Sequence, residues 1–329
     1  MTKSASQVLK YLLSLILAAA LLYFAFRGND WKAFIDGVRS TRWSYILLSL
    51  VVSVAAVVFR AERWRLQLVT LDPGISRSII WHGSNVGNFL SIVIPGIGEF
   101  YRCGKVSTGR ARYEKTFGTI LVERAWDVIA ILALLLVAVI AGRGTIEPFL
   151  REHVIAPLGS RTGISPWWIA AGAVVLIAAA LYLIFAFRGK SRFCARCANA
   201  AKGILEGVSS FGKMRGKGLF LLYTAGIWTM YILVTLFTFK AIPGLESLGF
   251  KDAVFISAVG NIASVIPTPG NLGAYHYIVG LAISTLYLAS SGMAATALLC
   301  ATLSHGSHAI LIILLGAVSY AVLTLKKKN

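Results

Sequence analysis

Six long apolar runs set the terms for this chain: Val8–Phe26, Trp43–Phe59, Thr116–Ala141, Trp167–Phe187, Leu219–Phe239 and Ala294–Leu325. A helix rises about 1.5 Å per residue, so about 20 apolar residues cross a hydrocarbon core of about 30 Å. Backbone in lipid must satisfy its own N–H and C=O groups, which a helix does within one segment. We therefore expect an all-α integral membrane protein with about six transmembrane helices. The composition agrees: 57% of residues are hydrophobic and 14% charged, and the mean hydropathy of +0.75 lies outside the soluble range. Lys3, Lys10 and the small residues Ala18, Ala19 and Ala20 imitate a signal peptide, but the apolar run continues through Leu21, Leu22, Tyr23, Phe24 and Phe26. An uncleaved first helix is expected.

The net charge of +19 would suggest nucleic acid as a partner if it were spread over a soluble module. It clusters instead beside the apolar runs. Arg188, Lys190, Arg192, Arg196, Lys202, Lys213, Arg215 and Lys217 lie between two runs, and Lys326, Lys327 and Lys328 follow the last. Short basic loops mark the cytoplasmic side, so residues 188–217 read as a cytoplasmic linker and both termini as cytoplasmic. No nucleic-acid partner is expected.

Two further apolar segments do not read as simple crossings. Residues 79–101 have arginines and lysines on both flanks, so this segment enters and leaves from the inner face. Residues 253–290, broken at Pro267-Thr268-Pro269-Gly270-Asn271-Leu272-Gly273, must enter and leave from the outer face if the two basic clusters are to share one side. The two breaks resemble each other. Gly87-Asn88 and the run to Pro95 match Gly260-Asn261 and the run to Pro267, and each continues through glycines into a tyrosine, Tyr101 or Tyr275. The expected architecture is thus one membrane domain over residues 1–329. It holds two re-entrant helical hairpins in an inverted-topology repeat, 43–141 with 79–101 re-entrant and 219–325 with 253–290 re-entrant.

Proline removes a backbone donor and glycine permits positive φ, so each break must unwind its helix. Unwound backbone survives at membrane depth only where protein surrounds it or water reaches it. Two breaks imply a polar cavity between the halves, the place where transporters of this architecture hold substrate, and the freed N–H groups would suit an anion such as a lipid phosphate. The expected lining is Asn88, Pro95, Gly96, Gly98, Glu99 and Arg102 from the first break, and Asn261, Pro267, Pro269, Gly270, Gly273, Tyr275 and His276 from the second. Glu123, Arg124 and Asp127 share one helix, with Glu123 and Asp127 one turn apart; they make either a cavity wall or an ion-pair lattice between helices. His305 and His308, on the last run, align with Arg124 and Asp127 at a common offset. Arg60, Glu62, Arg63 and Arg65 follow an apolar run and read mainly as snorkelling interfacial residues.

Other chemistry finds little support. Cys194-x-x-Cys197 lacks the two further ligands of a zinc site and the βαβ setting of a redox motif. Two histidines alone are a weak metal signal. No nucleophile-base pairing, Walker loop or dinucleotide fingerprint occurs, so neither a cofactor, a metal nor an enzyme is expected.

Three stretches together resemble the lysylphosphatidylglycerol synthase transmembrane-region family: G-N-x-x-S-x-x-x-P-G-x-G-E ending at Glu99, Leu121-Val122-Glu123-Arg124-Ala125-Trp126-Asp127, and Pro267 to His276, where Asn271 stands at a position commonly glycine in relatives. The resemblance covers essentially the whole chain. It implies a flippase-like protein of the bacterial cytoplasmic (inner) membrane. Since only four residues follow Leu325, it also implies a stand-alone member without the aminoacyl transferase domain. Expected partners are anionic or zwitterionic phospholipids, or polyprenyl-linked and glycolipids, with a lipid-synthesis enzyme as a candidate protein partner. In a translocase Arg124 and Arg102 would meet phosphate, Glu123, Asp127 and Glu99 would meet a cationic head group or carry protons, and His305 and His308 would relay them. A membrane-embedded lipid-modifying enzyme and a helper subunit of a lipid-synthesis complex are the alternatives.

Overall fold

The computed structural model describes residues 3–141, 192–263, 266–287 and 294–325, and the regular elements among them are helices. In chain order these are α1 (Lys3–Phe26), α2 (Trp31–Ser40), α3 (Trp43–Leu71), α4 (Arg77–Val93), α5 (Ile97–Val106), α6 (Tyr113–Ala141), α7 (Arg192–Lys213), α8 (Lys217–Ala241), α9 (Phe250–Ile262), α10 (Ala274–Tyr287) and α11 (Ala294–Leu325), with one 3-10 turn at Pro269–Asn271. The apolar run Trp167–Phe187 lies outside the described residues.

Three of these helices, α3, α8 and α11, are each long and apolar enough to cross a membrane. Leu12–Phe26 and α2 qualify only as a pair, and they are bent by 88°, with Gly28 at φ +73° in the corner. Asp30 starts α2 by accepting a hydrogen bond from the Ala33 amide at 3.0 Å, which satisfies one of the N–H groups a helix start leaves open. The run Thr116–Ala141 forms most of α6, whose first half carries charge that must be turned inward. The apolar pattern faces outward on these helices, with Leu47, Val51, Leu132, Leu136, Ile310 and Val318 exposed, as lipid requires.

Lipid is as apolar as leucine, so helices in it associate through close packing, for which small residues are suited. Helix α3 lies along α8 with Arg42 against Ala241, Phe59 against Gly226 and Leu66 against Gly216, so residue numbers rise on one helix as they fall on the other. The two run antiparallel. The other contacts are duplicated between the halves: α4 pairs with α5 as α9 does with α10, α4 packs on α11 as α9 does on α6, and α3 meets α6 as α8 meets α11. Each half has an apolar core, one around Trp64, Leu68, Ile80, Cys103 and Ile120, the other around Phe239, Leu245, Phe255, Ile283 and Leu299.

The remaining helices lie outside this scheme. Helix α1 leans on the second break, where a Cβ on Gly273 would stand 2.6 Å from the Ala18 carbonyl oxygen. Helix α2 rests on α11, and α7 on α6 through Gly118 and Gly207. At the end of α3, Asp72 accepts from the Thr108 hydroxyl at 2.7 Å and the Gly74 amide at 3.0 Å. These two bonds hold its carboxyl below the usual range and tie α3 to the α5–α6 loop.

Candidate functional site

Each break closes a helical hairpin. In the first, Gly96 takes φ +77° and α5 returns along α4, with Gly98 set directly against the Gly87 carbonyl. In the second, Gly270, Asn271 and Gly273 take φ values of +54°, +60° and +80°, and Gly260 of α9 faces the Tyr275 ring of α10. An asparagine tolerates the left-handed region better than most residues, which explains why Asn271 serves there. The two breaks meet: a Cβ on Gly270 would lie 3.1 Å from the Ile92 side chain.

A cavity of about 460 Å³ opens where they meet. Its walls come from both halves: Ser53, Val57 and Arg60 of α3; Asn88, Ser91, Pro95, Gly96 and Glu99 of the first hairpin; Arg124 and Asp127 of α6; Trp228, Tyr231 and Thr235 of α8; Asn261, Pro267, Gly270 and Tyr275 of the second hairpin; and Ser304, His305 and His308 of α11. The repeated asparagines, Asn88 and Asn261, both face it, as do the aligned pairs Arg124 with His305 and Asp127 with His308.

Other expected lining residues lie behind this surface. Gly98 is consumed by the α4–α5 crossing and Gly273 by the contact with α1. Pro269 and His276 are buried, the imidazole of His276 packing between Phe26 and His305 at ring distances of 6.0 and 5.2 Å. Arg102 and Glu123 are also buried, in an ion network one layer behind the wall.

That network is a closed ring in which arginine and carboxylate alternate. Arg63 approaches Asp127 at 2.8 Å and Glu123 at 3.5 Å, the second an ion-pair distance without hydrogen-bond geometry. Arg102 joins Glu123 at 2.9 Å and Glu99 at 2.5 Å. Arg124 closes the ring, to Glu99 at 3.0 Å and to Asp127 at 3.6 Å. The ring has two arcs. Arg63, Glu123 and Arg102 have side chains only 0%, 2% and 8% exposed, with the Arg102 guanidinium 4.4 Å above the Trp64 ring. Glu99 and Arg124, 29% and 44% exposed, face the cavity together with Asp127.

Two expectations change here. Arg63 does not snorkel to an interface; it is wholly buried because α3 continues without a break to Leu71 and carries it into the protein. Glu62 is buried as well, and bonds to the half-buried Arg65 at 2.7 Å and to the exposed Arg77 at 2.6 Å. Three of the freed amides of the first break are also taken up within the hairpin and not offered to an anion. Ile97 N–H donates to the Ile94 carbonyl, Gly98 N–H to the Ser91 hydroxyl and Glu99 N–H to the Gly96 carbonyl. At the second break His305 acts first as a clamp, its Nε2 donating to the Gly270 carbonyl at 2.7 Å.

A sequence signal for the α3 face existed. Ser49, Ser53, Ala56, Arg60, Arg63 and Gln67 recur every three or four residues, a small-and-polar stripe on one helix face. Among the described residues no group of three His, Cys, Asp or Glu side chains is placed to hold a metal; the Cys194 and Cys197 side chains are not among those described.

The family model for the lysylphosphatidylglycerol synthase TM region matches residues 11–316. The chain belongs to that family. It is accordingly a membrane protein of a lipid-related family, and the cavity is what this member places between its halves. No curated protein and no solved structure matches the chain.

Proposed function

We propose that this member of the family is a lipid translocase, moving a phospholipid or lipid-linked head group through the cavity while the acyl or prenyl tails remain in the bilayer. The observation that carries this reading is the meeting of two unwound breaks, one from each half, at a single polar cavity whose wall is the accessible arc of a charge ring. Antiparallel α3 and α8, with their duplicated contacts, support an inverted-topology repeat with re-entrant hairpins entering from opposite faces. On this reading both termini are cytoplasmic and the membrane is a bacterial cytoplasmic one. The protein does no covalent chemistry, and transport follows a gradient or is passive.

The test is transport by the purified full chain in proteoliposomes, using fluorescent phosphatidylglycerol and phosphatidylethanolamine bleached from outside. Movement of at least one is expected. Ala309→Trp, which adds bulk to the cavity wall from α11 at a residue outside the ion ring, should reduce it to the protein-free rate with an unchanged elution profile. A wild-type protein that moves neither lipid, or a filled cavity that transports at full rate, would sink the reading. A new lipid product in the same vesicles would point to the enzyme instead.

A further inference from the structure

The ion ring is complete without Arg60. Each of the six carboxylate oxygens of Glu99, Glu123 and Asp127 is matched to one guanidinium, and Arg63, Arg102 and Arg124 each bridge two acids. Arg60 lines the same cavity. Among the described residues it makes no ion pair; Nη1 donates to the Tyr231 hydroxyl at 3.1 Å, a neutral partner. Asp127 and Glu123 attract it through space, but their oxygens are already engaged. No lysine and no carboxylate beyond Glu99 and Asp127 lines the cavity among the described residues. Four guanidiniums thus face three carboxylates, one positive charge in excess.

An uncompensated cation within a membrane domain is costly, and a guanidinium is suited to a phosphate through charge-assisted, often bidentate bonds. The Tyr231 bond takes only one of its donors. An ammonium entering the cavity meets the opposite situation, because the carboxylates are already neutralised by guanidiniums and the charge left over is positive. We propose that Arg60 anchors the head-group phosphate and that the cavity selects lipids of net negative charge over those whose head group carries amines. The proposal takes the cavity to be the lipid site, as the translocase reading does, but concerns binding rather than movement.

The test is native mass spectrometry of the full chain incubated with equal amounts of phosphatidylglycerol, phosphatidylethanolamine and lysyl-phosphatidylglycerol. Wild type should retain phosphatidylglycerol over the lysyl form by about tenfold or more, the scale of one charged hydrogen-bond pair. Arg60→Gln should erase that preference. Arg60→Lys should keep the order of preference at reduced affinity, since lysine keeps the charge and loses the bidentate fork; this comparison decides the matter should the glutamine variant not fold. Equal retention by wild type, selectivity surviving Arg60→Gln, or undiminished affinity in Arg60→Lys overturns the proposal. Selective retention without movement of any lipid in vesicles leaves the charge assignment standing and removes the translocase reading.

Discussion

Glu123→Ala is expected to destabilise the fold by about 3–5 kcal/mol, the cost of leaving buried charge without its partner. Glu123 is the acid between Arg63 and Arg102, on the arc shut off from the cavity. Without it Arg63 keeps Asp127 and Arg102 keeps Glu99, but two guanidiniums then face each other across a void. Bulk solvent does not screen them, since the Arg63 side chain has no exposure and that of Arg102 is 8% exposed. Glu123→Gln preserves shape and one acceptor and should cost less. Glu99→Gln should cost less again, because Glu99 is part-exposed and solvent screens the change. Thermal unfolding in detergent, followed by intrinsic tryptophan fluorescence, gives the order. A Glu123→Ala protein as stable as Glu99→Gln would refute the ring as a structural unit.

The same contrast shows why such a ring is kept at all. Buried ion pairs are seldom better for stability than apolar residues of equal volume, so a closed lattice alone is weak support for a purely structural role. What the inner arc does is fix Arg102, and through it Glu99, on a helix of ten residues whose other supports are its crossing with α4 and its apolar packing on α6. The outer arc is thereby presented to the cavity in one arrangement. Positioning of this kind is what a binding wall needs.

Much of this was legible in the sequence, and the parts that were not share a cause. The runs at Trp43, Leu219 and Ala294 read as helices because their apolar length leaves no other backbone form in lipid. The breaks at Pro95-Gly96 and Pro267 to Gly273 were legible because proline and glycine act locally. The alignment of Arg124 and Asp127 with His305 and His308 placed four residues that do line one cavity. Arg60 and Arg63 were misplaced because hydropathy ends the third helix's apolar run at Phe59, while the helix itself continues to Leu71. Which way its charged turn faces depends on α6 and α8, far away in the chain. Ring closure was equally out of reach: Arg63, Glu99, Arg102, Glu123 and Asp127 come from three helices whose relative register no local pattern encodes. The division of the expected lining into wall residues and those behind it, such as Gly98 and Arg102, follows from that register too.

Gly98→Ala should be the most damaging single methyl at any glycine among the described residues. A Cβ there would stand 1.9 Å from the Gly87 carbonyl oxygen and 2.4 Å from the Ser91 hydroxyl. The first obstacle is backbone in the middle of α4, so it cannot rotate aside as a side chain would. The hairpin must open, at more than the about 1–3 kcal/mol usual for overpacking a core. Opening it shifts α5, which carries Glu99 away from Arg124 and Arg102 away from Glu123, so the ring and the cavity wall should fail with the fold. Gly104→Ala on the same helix is the matched control. Its new methyl would have only Tyr113 nearby, at 4.0 Å, and alanine is the better helix former by about 0.5–1 kcal/mol. Gly104→Ala should therefore be neutral or stabilising, and a Gly98→Ala protein that unfolds no earlier would contradict the crossing. The second hairpin should be more forgiving. At Gly260 the obstacle, 2.7 Å away, is the edge of the Tyr275 ring, which can turn at the expense of its bond to Ser304. Gly260→Ala should leave a folded protein with an altered cavity, which makes it the variant to carry into the transport assay.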